Sequence, residues 1–337
     1  MDQEVVLPNE AQQLLQRRGL AEEVAPGVAY MRDRIANVFF VGEAGAPDRR
    51  WTLVDTGLPG AADRIVEAAA ARFGADSRPA AIVLTHGHFD HVGAVRQLAE
   101  RWDVPVYAHE LELPYLTGRS PYPPPDPTVG GGALAFMSRT FPRGPIDLGE
   151  RVRTLPEDGA VPGMPGWRWV HTPGHAPGHV SLFRDGDRAL IAGDAFTTTK
   201  QESLVAALTQ RKEIHGPPAY YTIDWDEARE SVRRLADLHP TLAATGHGVP
   251  MRGIPMQLGL DELARDFDRL ARPARGRYVR EPAVADESGV LTVPPAVPDQ
   301  LARVLTGVAV AAAAGVAVAA MRRRGGGDRD ARPPRAD

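Results

Sequence analysis

The stretch 85-THGHFDHVG-93, which follows the apolar run 80-AAIVL-84, decides how this chain is interpreted. It places four side chains that commonly bind metal ions within six residues: His86, His88, Asp90 and His91. An apolar strand that ends in a polar loop allows such side chains to converge on one point. Four ligands so close together suit two metal ions better than one, because a zinc ion usually takes three or four protein ligands. The alternative interpretation is a polar turn with solvated histidines.

Further candidate ligands occur downstream, each where an apolar segment gives way to a loop. They lie in three motifs, 171-HTPGHAPGHVSLF-183, 191-IAGDAF-196 and 244-ATGHG-248. The histidines and the carboxylate of these motifs are His171, His175, His179, Asp194 and His247. Because strand ends can meet at one rim of a sheet, we expect several of these side chains to join the first cluster. The convergence of separate motifs supports a metal centre more strongly than any one motif.

The composition limits both the class of protein and the kind of metal site. With 337 residues, 43% hydrophobic and 24% charged, the chain is typical of a globular protein with one large domain or two ordinary ones. A formal net charge of -4 gives no general attraction to nucleic acid or anionic lipid, so we expect no nucleic-acid partner. The chain has no cysteine, which excludes disulfides, thiolate nucleophiles and thiolate ligands. A metal site must therefore use His, Asp and Glu.

Strands and helices alternate along much of the chain, which predicts an α/β fold. Strands are expected over residues 27–57 and again over 104–112 (VPVYAHELE). Helical patterns occur at 61–73, 92–102, 224–239 and 261–274. Residues 117–147, rich in proline and glycine, interrupt the alternation and predict a surface loop or a lid.

The C-terminal part differs in composition from the rest. Residues 273–300 carry five prolines and predict an extended linker. Residues 304–321 are uncharged over 18 positions and are followed at once by three arginines. At about 1.5 Å per residue, a helix of this length just crosses a hydrocarbon core, so the segment predicts a membrane anchor. The alternative is an alanine-rich helix that packs on the domain.

These boundaries divide the chain into four parts. They are a catalytic domain (1–272), the linker (273–300), a hydrophobic helix (301–324) and an arginine-rich tail that we expect to be disordered (325–337). The N-terminus has no apolar segment of the kind found in secretory signals. We therefore expect a cytoplasmic protein, with the C-terminal helix as its tether to a membrane.

The order of the motifs resembles that of a known family. THGHFDH, HTPGHAPGH, GDAF and TGHG follow one another across residues 28–253 as in the metallo-β-lactamase superfamily, and the chain is most similar to its glyoxalase-II-like branch. The resemblance implies a four-layer αββα sandwich with a dinuclear metal site at one edge of its two sheets. Seven residues match the ligand positions of that site. The match implies a first metal ion held by His86, His88 and His175, a second held by Asp90, His91 and His247, and Asp194 bridging the two.

The same resemblance assigns roles to further residues. His171 and His179 are not expected to bind metal, whereas His179 and Asp55 would orient ligands through hydrogen bonds. Asp90 would bind a metal ion and also accept the proton of the nucleophile, which makes it the expected catalytic residue. The cofactors implied are two divalent metal ions, zinc in the first place and iron or manganese as alternatives.

The function implied is the hydrolysis of a small-molecule acyl substrate. A hydroxide that bridges the two ions would attack the carbonyl of an ester, a thioester or a lactone. Two alternatives stay open: a non-catalytic metal-binding or scaffold protein on the same fold, and a β-lactamase. His88 stands where diiron flavoprotein relatives carry a glutamate, which disfavours a redox diiron site. The sequence does not indicate an oligomeric state.

Overall fold

The computed structural model describes residues 20–298, and two β-sheets lie at the centre of this part of the chain. The first sheet contains seven of the described strands in chain order. They are β1 (Glu22–Ala25), β2 (Val28–Asp33), β3 (Ala36–Val41), β4 (Thr52–Val54), β5 (Ala81–Val83), β6 (Val106–Ala108) and β7 (Val152–Thr154). Strands β1 to β4 pair antiparallel, whereas β4 to β7 pair parallel. The carboxyl ends of β4 and β5 therefore lie at the same edge of the sheet.

The second sheet contains five of the described strands, in the order β12-β11-β10-β9-β8. They are β8 (Trp167–His171), β9 (Val180–Arg184), β10 (Ala189–Gly193), β11 (Leu242–Thr245) and β12 (Met251–Arg252). Only β10 and β11 pair parallel among these strands, and the other neighbours are antiparallel. The parallel pair again places two carboxyl ends side by side.

The longer helices pack on the outer faces of the two sheets. The α-helices of the described residues are α1 (Ala62–Phe73), α2 (Val95–Trp102), α3 (Leu113–Leu116), α4 (Ala133–Met137), α5 (Leu204–Thr209), α6 (Trp225–Asp237), α7 (Ile254–Arg265) and α8 (Phe267–Leu270). The sequence explains where α6 begins, because the Asp224 carboxylate accepts hydrogen bonds from the backbone amides of Asp226 and Glu227, both at 3.0 Å.

Alternation of side chains along the strands sets the order of the layers. In β3, Val38 and Phe40 join the apolar cluster that includes α1 and α2. Phe39 and Val41, on the opposite face, join the cluster shared with the second sheet. The other face of the second sheet packs on α6, α7 and α8. The layers therefore run helix, sheet, sheet, helix, which is the four-layer α/β arrangement that the resemblance implies.

Residues 104–112 are not one strand, as the sequence pattern suggested. Strand β6 ends at Ala108, and a 3-10 turn follows over Glu110–Glu112. The ring Nδ1 of His109 accepts a hydrogen bond from the Leu111 amide at 3.2 Å and so caps the start of this turn. The chain therefore leaves the sheet before the end of the strand that the sequence pattern predicts.

The last long helix also differs from the prediction, which placed it at 261–274. Helix α7 begins earlier, at Ile254, and a short separate helix follows it. Pro255 occupies the first turn of α7, where a missing backbone N–H breaks no helical hydrogen bond. The proline therefore starts this helix, although the apolar pattern alone did not mark its beginning.

Part of the predicted linker is folded. A β-hairpin within residues 273–300 is formed by β13 (Val284–Asp286) and β14 (Gly289–Thr292). The Tyr278 hydroxyl donates to the Pro124 carbonyl at 2.6 Å, and the Val290 amide donates to Ser120 Oγ at 3.1 Å. These contacts place the end of the folded domain beyond residue 272, because a linker that binds the domain is no longer extended and free.

The predicted hydrophobic helix (301–324) and tail (325–337) lie outside the described residues. Within residues 20–298, no helix is both long enough and apolar enough to cross a bilayer. The membrane tether therefore stays a prediction.

Candidate metal centre

Strand ends bring the ligand-bearing motifs to one rim of the fold. In the first sheet, Asp55 directly follows β4, and the THGHFDH loop follows β5. In the second sheet, Asp194 directly follows β10, and His247 lies two residues after β11. His175 lies in the loop between β8 and β9. Because both sheets contribute parallel pairs at this edge, loops that are distant in sequence meet there.

Three histidines form the first ligand group: His86, His88 and His175. One ring nitrogen of each lies within 4.8 Å of the others. Nδ1 of His88 and Nε2 of His175 are 3.0 Å apart. All three side chains are buried. The structure thus brings together the three residues that the resemblance assigns to a first metal ion.

Two histidines and a carboxylate form the second group: Asp90, His91 and His247. Their ligand atoms also lie within 4.8 Å of one another. Nε2 of His247 is 3.5 Å from Asp90 Oδ2, and Nε2 of His91 is 4.0 Å from Asp90 Oδ1. These are the three residues that the resemblance assigns to a second metal ion.

The Asp194 carboxylate lies between the two groups. Its Oδ2 is 3.0 Å from His247 Nε2, 3.6 Å from His91 Nε2 and 3.5 Å from His175 Nε2. A further group of three possible ligands, His86, His91 and Asp194, also satisfies the 4.8 Å separation. One carboxylate thus contacts ligand atoms on both sides, as a bridging ligand must.

Three ligand atoms in this cluster are buried and have no hydrogen-bond partner within residues 20–298. They are His86 Nε2, His91 Nε2 and Asp194 Oδ1. Buried polar atoms are almost always paired, and each unpaired acceptor in a native structure requires an explanation. Imidazole nitrogens and carboxylate oxygens are the usual ligands of zinc and similar divalent ions when cysteine is absent. The residues present therefore fit two divalent metal ions.

The two residues expected to orient ligands both contact one. Oδ2 of Asp55 accepts from His91 Nδ1 at 2.9 Å, and both of its oxygens accept from Thr85, each at 2.8 Å. This contact fixes the imidazole so that Nε2 faces the cluster. Nε2 of His179 accepts a hydrogen bond from the backbone amide of Asp194 at 2.8 Å. His179 is therefore held by the backbone of a ligand residue and does not itself face the cluster through that nitrogen.

A family model matches the part of the chain that contains this centre. The match covers residues 31–247 and is described as Metallo-beta-lactamase superfamily. This chain belongs to the metallo-β-lactamase superfamily. The matched range includes all the ligand candidates, from His86 to His247.

Similar proteins of known sequence or structure agree with this placement. Probable metallo-hydrolase YflN of Bacillus subtilis (strain 168) is 48% identical over 248 residues, which are 74% of this chain and 94% of that protein. Probable metallo-hydrolase YybB of the same organism is 33% identical over 196 residues, which are 58% of this chain and 74% of that protein. A crystal structure of a beta-lactamase domain protein from Burkholderia ambifaria superposes with a TM-score of 0.51 at 23% identity, over 74% of this chain and 77% of that chain. The last comparison shows a shared fold.

Charge is distributed unevenly within the centre of this superfamily member. Burial holds the pKa values of the first-group histidines below their usual range, and that of His175 at about 3. Burial also opposes the charged forms of His91 and His247, but the Asp194 carboxylate raises the pKa of both. Histidine binds metal only when it is neutral. In the metal-free chain, the lowered pKa values of the first group favour the neutral form that binds an ion, whereas the raised pKa values of His91 and His247 favour the protonated form.

Aromatic side chains lie against the ligands of the first group. The ring of Tyr221 stacks on His88 with centroids 4.3 Å apart, and the ring of Tyr122 lies 4.6 Å from the same imidazole. Phe89 and Phe141 extend this surface, with ring centroids 5.5 Å apart. We name these four side chains, Tyr122, Tyr221, Phe89 and Phe141, the aromatic wall. The wall places the rings of Tyr122 and Tyr221 beside His88, with Phe89 and Phe141 next to Tyr221.

His171 lies apart from both ligand groups, in agreement with its omission from the predicted ligands. Its Nε2 hydrogen-bonds with the Pro177 carbonyl at 2.9 Å, and its ring stacks on His109 with centroids 4.2 Å apart. His171 therefore stabilises the loop that it begins.

Glu112 is a residue of this site that the sequence did not reveal. Its sequence neighbourhood is that of an ordinary acidic stretch, yet its side chain is fully buried. The carboxylate accepts hydrogen bonds from the backbone amides of Gly87 and Gly178, each at 2.8 Å. Those partners are 25 and 66 residues away in the chain, so no local pattern could have identified the contact.

Proposed function

We propose that this chain is a metal-dependent hydrolase that uses two divalent ions to cleave an ester, a thioester or a lactone, as in the glyoxalase-II-like branch. The observation that carries the proposal is the buried ligand cluster, in which Asp194 joins two ligand groups and three ligand atoms lack partners within the described chain. The name of YflN, a probable metallo-hydrolase, supports the same reaction class.

The ligand groups suggest where two ions would bind. The first would be held by His86, His88 and His175, the second by Asp90, His91 and His247, and both by Asp194. Zinc suits this set of nitrogen and oxygen ligands, with iron and manganese as alternatives. When bound, a pair of such ions lowers the pKa of water toward neutrality and polarises a carbonyl oxygen.

Asp90 is the ligand best placed to move a proton. At 5% exposure it is the most accessible of the candidate ligand residues, whereas Asp194 is 1% exposed. Asp194 Oδ2 lies within 3.6 Å of three imidazoles, whereas among the described residues the ion-pair contact of Asp90 Oδ1 is a distant one, 4.0 Å from His91 Nε2. We therefore assign Asp90 Oδ1 as the atom that accepts the proton of the attacking water.

Asp55 and the aromatic wall support this chemistry without taking part in it. The hydrogen bond from His91 Nδ1 to Asp55 Oδ2, at 2.9 Å, keeps the imidazole in one tautomer and one orientation. Tyr122 and Tyr221 of the aromatic wall are in ring contact with His88, and the wall would keep bulk water away from the reacting carbonyl. Its apolar surface favours a substrate with an apolar acyl group.

The test is hydrolysis by the zinc-loaded full chain of four substrates: an aryl ester, an acyl thioester, a lactone and a β-lactam. The variant His86→Ala removes a residue shared by two of the candidate ligand groups. The control is His239→Asn, since this histidine is exposed and its positive φ of 48° suits asparagine.

The outcomes separate the candidate functions. We expect at least one carbonyl substrate to be cleaved, a loss of about 10³-fold or more in His86→Ala, and no loss in His239→Asn. Cleavage of the β-lactam alone would make the chain a β-lactamase. Two bound ions per chain without cleavage of any substrate would favour the non-catalytic alternative.

A further inference from the structure

Glu112 is a buried carboxylate that no cation balances within the described chain. Its residue is 0% exposed, and no ion pair of residues 20–298 includes it. Three neutral donors satisfy it instead. These are the backbone amides of Gly87 and Gly178 and the hydroxyl of Tyr122. A buried carboxylate is stable only when such bonds replace its hydration, so Glu112 requires these donors to stay in place.

The two amides that Glu112 binds belong to the two loops that carry the first ligand group. Gly87 lies between His86 and His88 in the THGHFDH loop. Gly178 lies three residues after His175 in the second loop. Each oxygen of the carboxylate accepts a hydrogen bond from one loop: Oε2 accepts from the Gly87 amide and Oε1 from the Gly178 amide. Glu112 therefore connects the loop that carries His86 and His88 to the loop that carries His175.

The contacts leave no space for side chains on the two glycines. A Cβ on residue 178 would lie 2.8 Å from Glu112 Cγ and 2.9 Å from its backbone nitrogen. A Cβ on residue 87 would lie 2.6 Å from Tyr122 Oη. All three distances are far shorter than an ordinary van der Waals contact. The two loops are thus held against Glu112 and Tyr122 at the closest approach that a polypeptide allows.

Tyr122 completes the arrangement on the side of His88. Its hydroxyl donates to Glu112 and accepts from the Gly87 amide at 2.9 Å. Its ring stacks on Tyr115, with centroids 3.8 Å apart, and lies 4.6 Å from the His88 ring. The tyrosine therefore contacts both the carboxylate and one of the ligands that the carboxylate positions.

We propose that Glu112, together with Tyr122, is a positioning residue that sets the separation of His86 and His88 from His175 and thereby the affinity of the first metal site. The inference rests on the proposed dinuclear centre. Within residues 20–298, Glu112 accepts no hydrogen bond from the second ligand group, so we expect the residue to affect the first site more than the second.

The test is zinc binding by the full chain, measured by titration against a chromophoric chelator, in the wild type and in Glu112→Gln. Glutamine has the same shape but offers one acceptor oxygen, and its amide group must face a donor. We expect the affinity of the first site to fall about 10–100-fold, as for other groups that orient ligands. Anomalous diffraction at the zinc edge should then show an ion at the second group and a vacant first group.

Two further variants keep the test decisive. Tyr122→Phe retains the carboxylate and its two amide donors, and we expect it to weaken the first site by less than Glu112→Gln does. Glu110→Gln, in the same 3-10 turn but exposed, should bind two zinc ions as the wild type does.

The results distinguish failure of this inference from failure of the proposed function. Equal weakening of both sites in Glu112→Gln, or two ions bound as tightly as in the wild type, would overturn the positioning role. If Glu112→Gln does not fold, a Tyr122→Phe variant with unchanged affinity at the first site would overturn it as well. Absence of zinc binding by the wild type would instead refute the dinuclear centre itself.

Discussion

Asp55→Asn tests whether a side chain that touches no metal ion controls the second ligand group. Asp55 has a φ of 58°, a left-handed conformation that asparagine adopts readily, so the backbone should not change. The carboxylate accepts three hydrogen bonds, one from His91 Nδ1 and two from Thr85. Asparagine has one acceptor oxygen, which can replace Oδ2 and keep the bonds from His91 Nδ1 and Thr85 Oγ1. Its amide group would then face the Thr85 amide, and two donors would oppose each other.

The expected losses of stability and of zinc affinity follow from the hydrogen bonds that Asp55→Asn removes. A buried backbone N–H without an acceptor costs about 1–3 kcal/mol, which should lower the free energy of unfolding of the metal-free protein by that amount. Loss of the carboxylate charge also makes His91 a weaker ligand. Changes of this kind usually weaken metal binding by about 10–100-fold, or about 1.4–2.8 kcal/mol. The effect should fall on the second site, whereas Glu112→Gln should affect the first.

Two measurements separate the change in stability from the change in zinc affinity. Urea denaturation in EDTA gives the free energy of unfolding of the metal-free protein, and competition with a chelator gives the zinc affinity. Asp63→Asn is the matched control, because the Asp63 side chain is 96% exposed and pairs with Arg101 at the surface. Zinc affinity of Asp55→Asn within about twofold of the wild type would refute the argument, since the hydrogen bond to His91 would then have no effect on the ligand.

Three further predictions concern stability and its dependence on pH. Asp224→Ala removes the N-terminal cap of α6 and should lower the free energy of unfolding by about 1 kcal/mol in urea, and no change would contradict the cap. Trp51→Ala empties a core position stacked on Phe73 at 4.4 Å and should cost about 3–5 kcal/mol while leaving zinc stoichiometry unchanged in the protein that stays folded. Burial, and then the neighbouring His171, lower the pKa of His109 to about 4 from 6.5, so the stability that its neutral form provides is present above pH 6.5 and is lost as the pH falls toward 4. The free energy of unfolding of His109→Phe in EDTA should therefore rise by about 1–2 kcal/mol relative to that of the wild type as the pH falls from 7 to 4, a range reduced for partial solvent screening. Parallel plots of stability against pH for the two proteins would contradict this.

The ligands of the centre could be predicted because their signals are local. His86, His88, Asp90 and His91 lie in one loop after an apolar run, and a short polar motif at a strand end is visible in the sequence alone. That the other motifs join them follows from strand order, since parallel strands end at the same edge. The metals and the role of each ligand stay predictions.

The supporting contacts could not be predicted because they join residues far apart in sequence. Glu112 reads as one acid among several in HELELP, and only the fold brings it between Gly87 and Gly178. The hairpin after residue 272 was missed for a similar reason. Its prolines favour an extended chain, whereas its stability depends on contacts such as that of Val290 with Ser120.

The segment after α8 has a consequence for the position of the loop beside the first ligand group. It holds the loop that carries Tyr122 from outside, through Tyr278 to Pro124 and through the Arg277 amide to the Asp126 carboxylate. On the inner side, the Tyr122 hydroxyl binds Glu112. The loop can therefore swing away from His88 only if these outer bonds break or the segment moves with it. The place of Tyr122 beside His88 thus depends on a stretch of chain up to 170 residues further along, and removal of residues 273–298 would break bonds that hold this loop while leaving every candidate ligand in the chain.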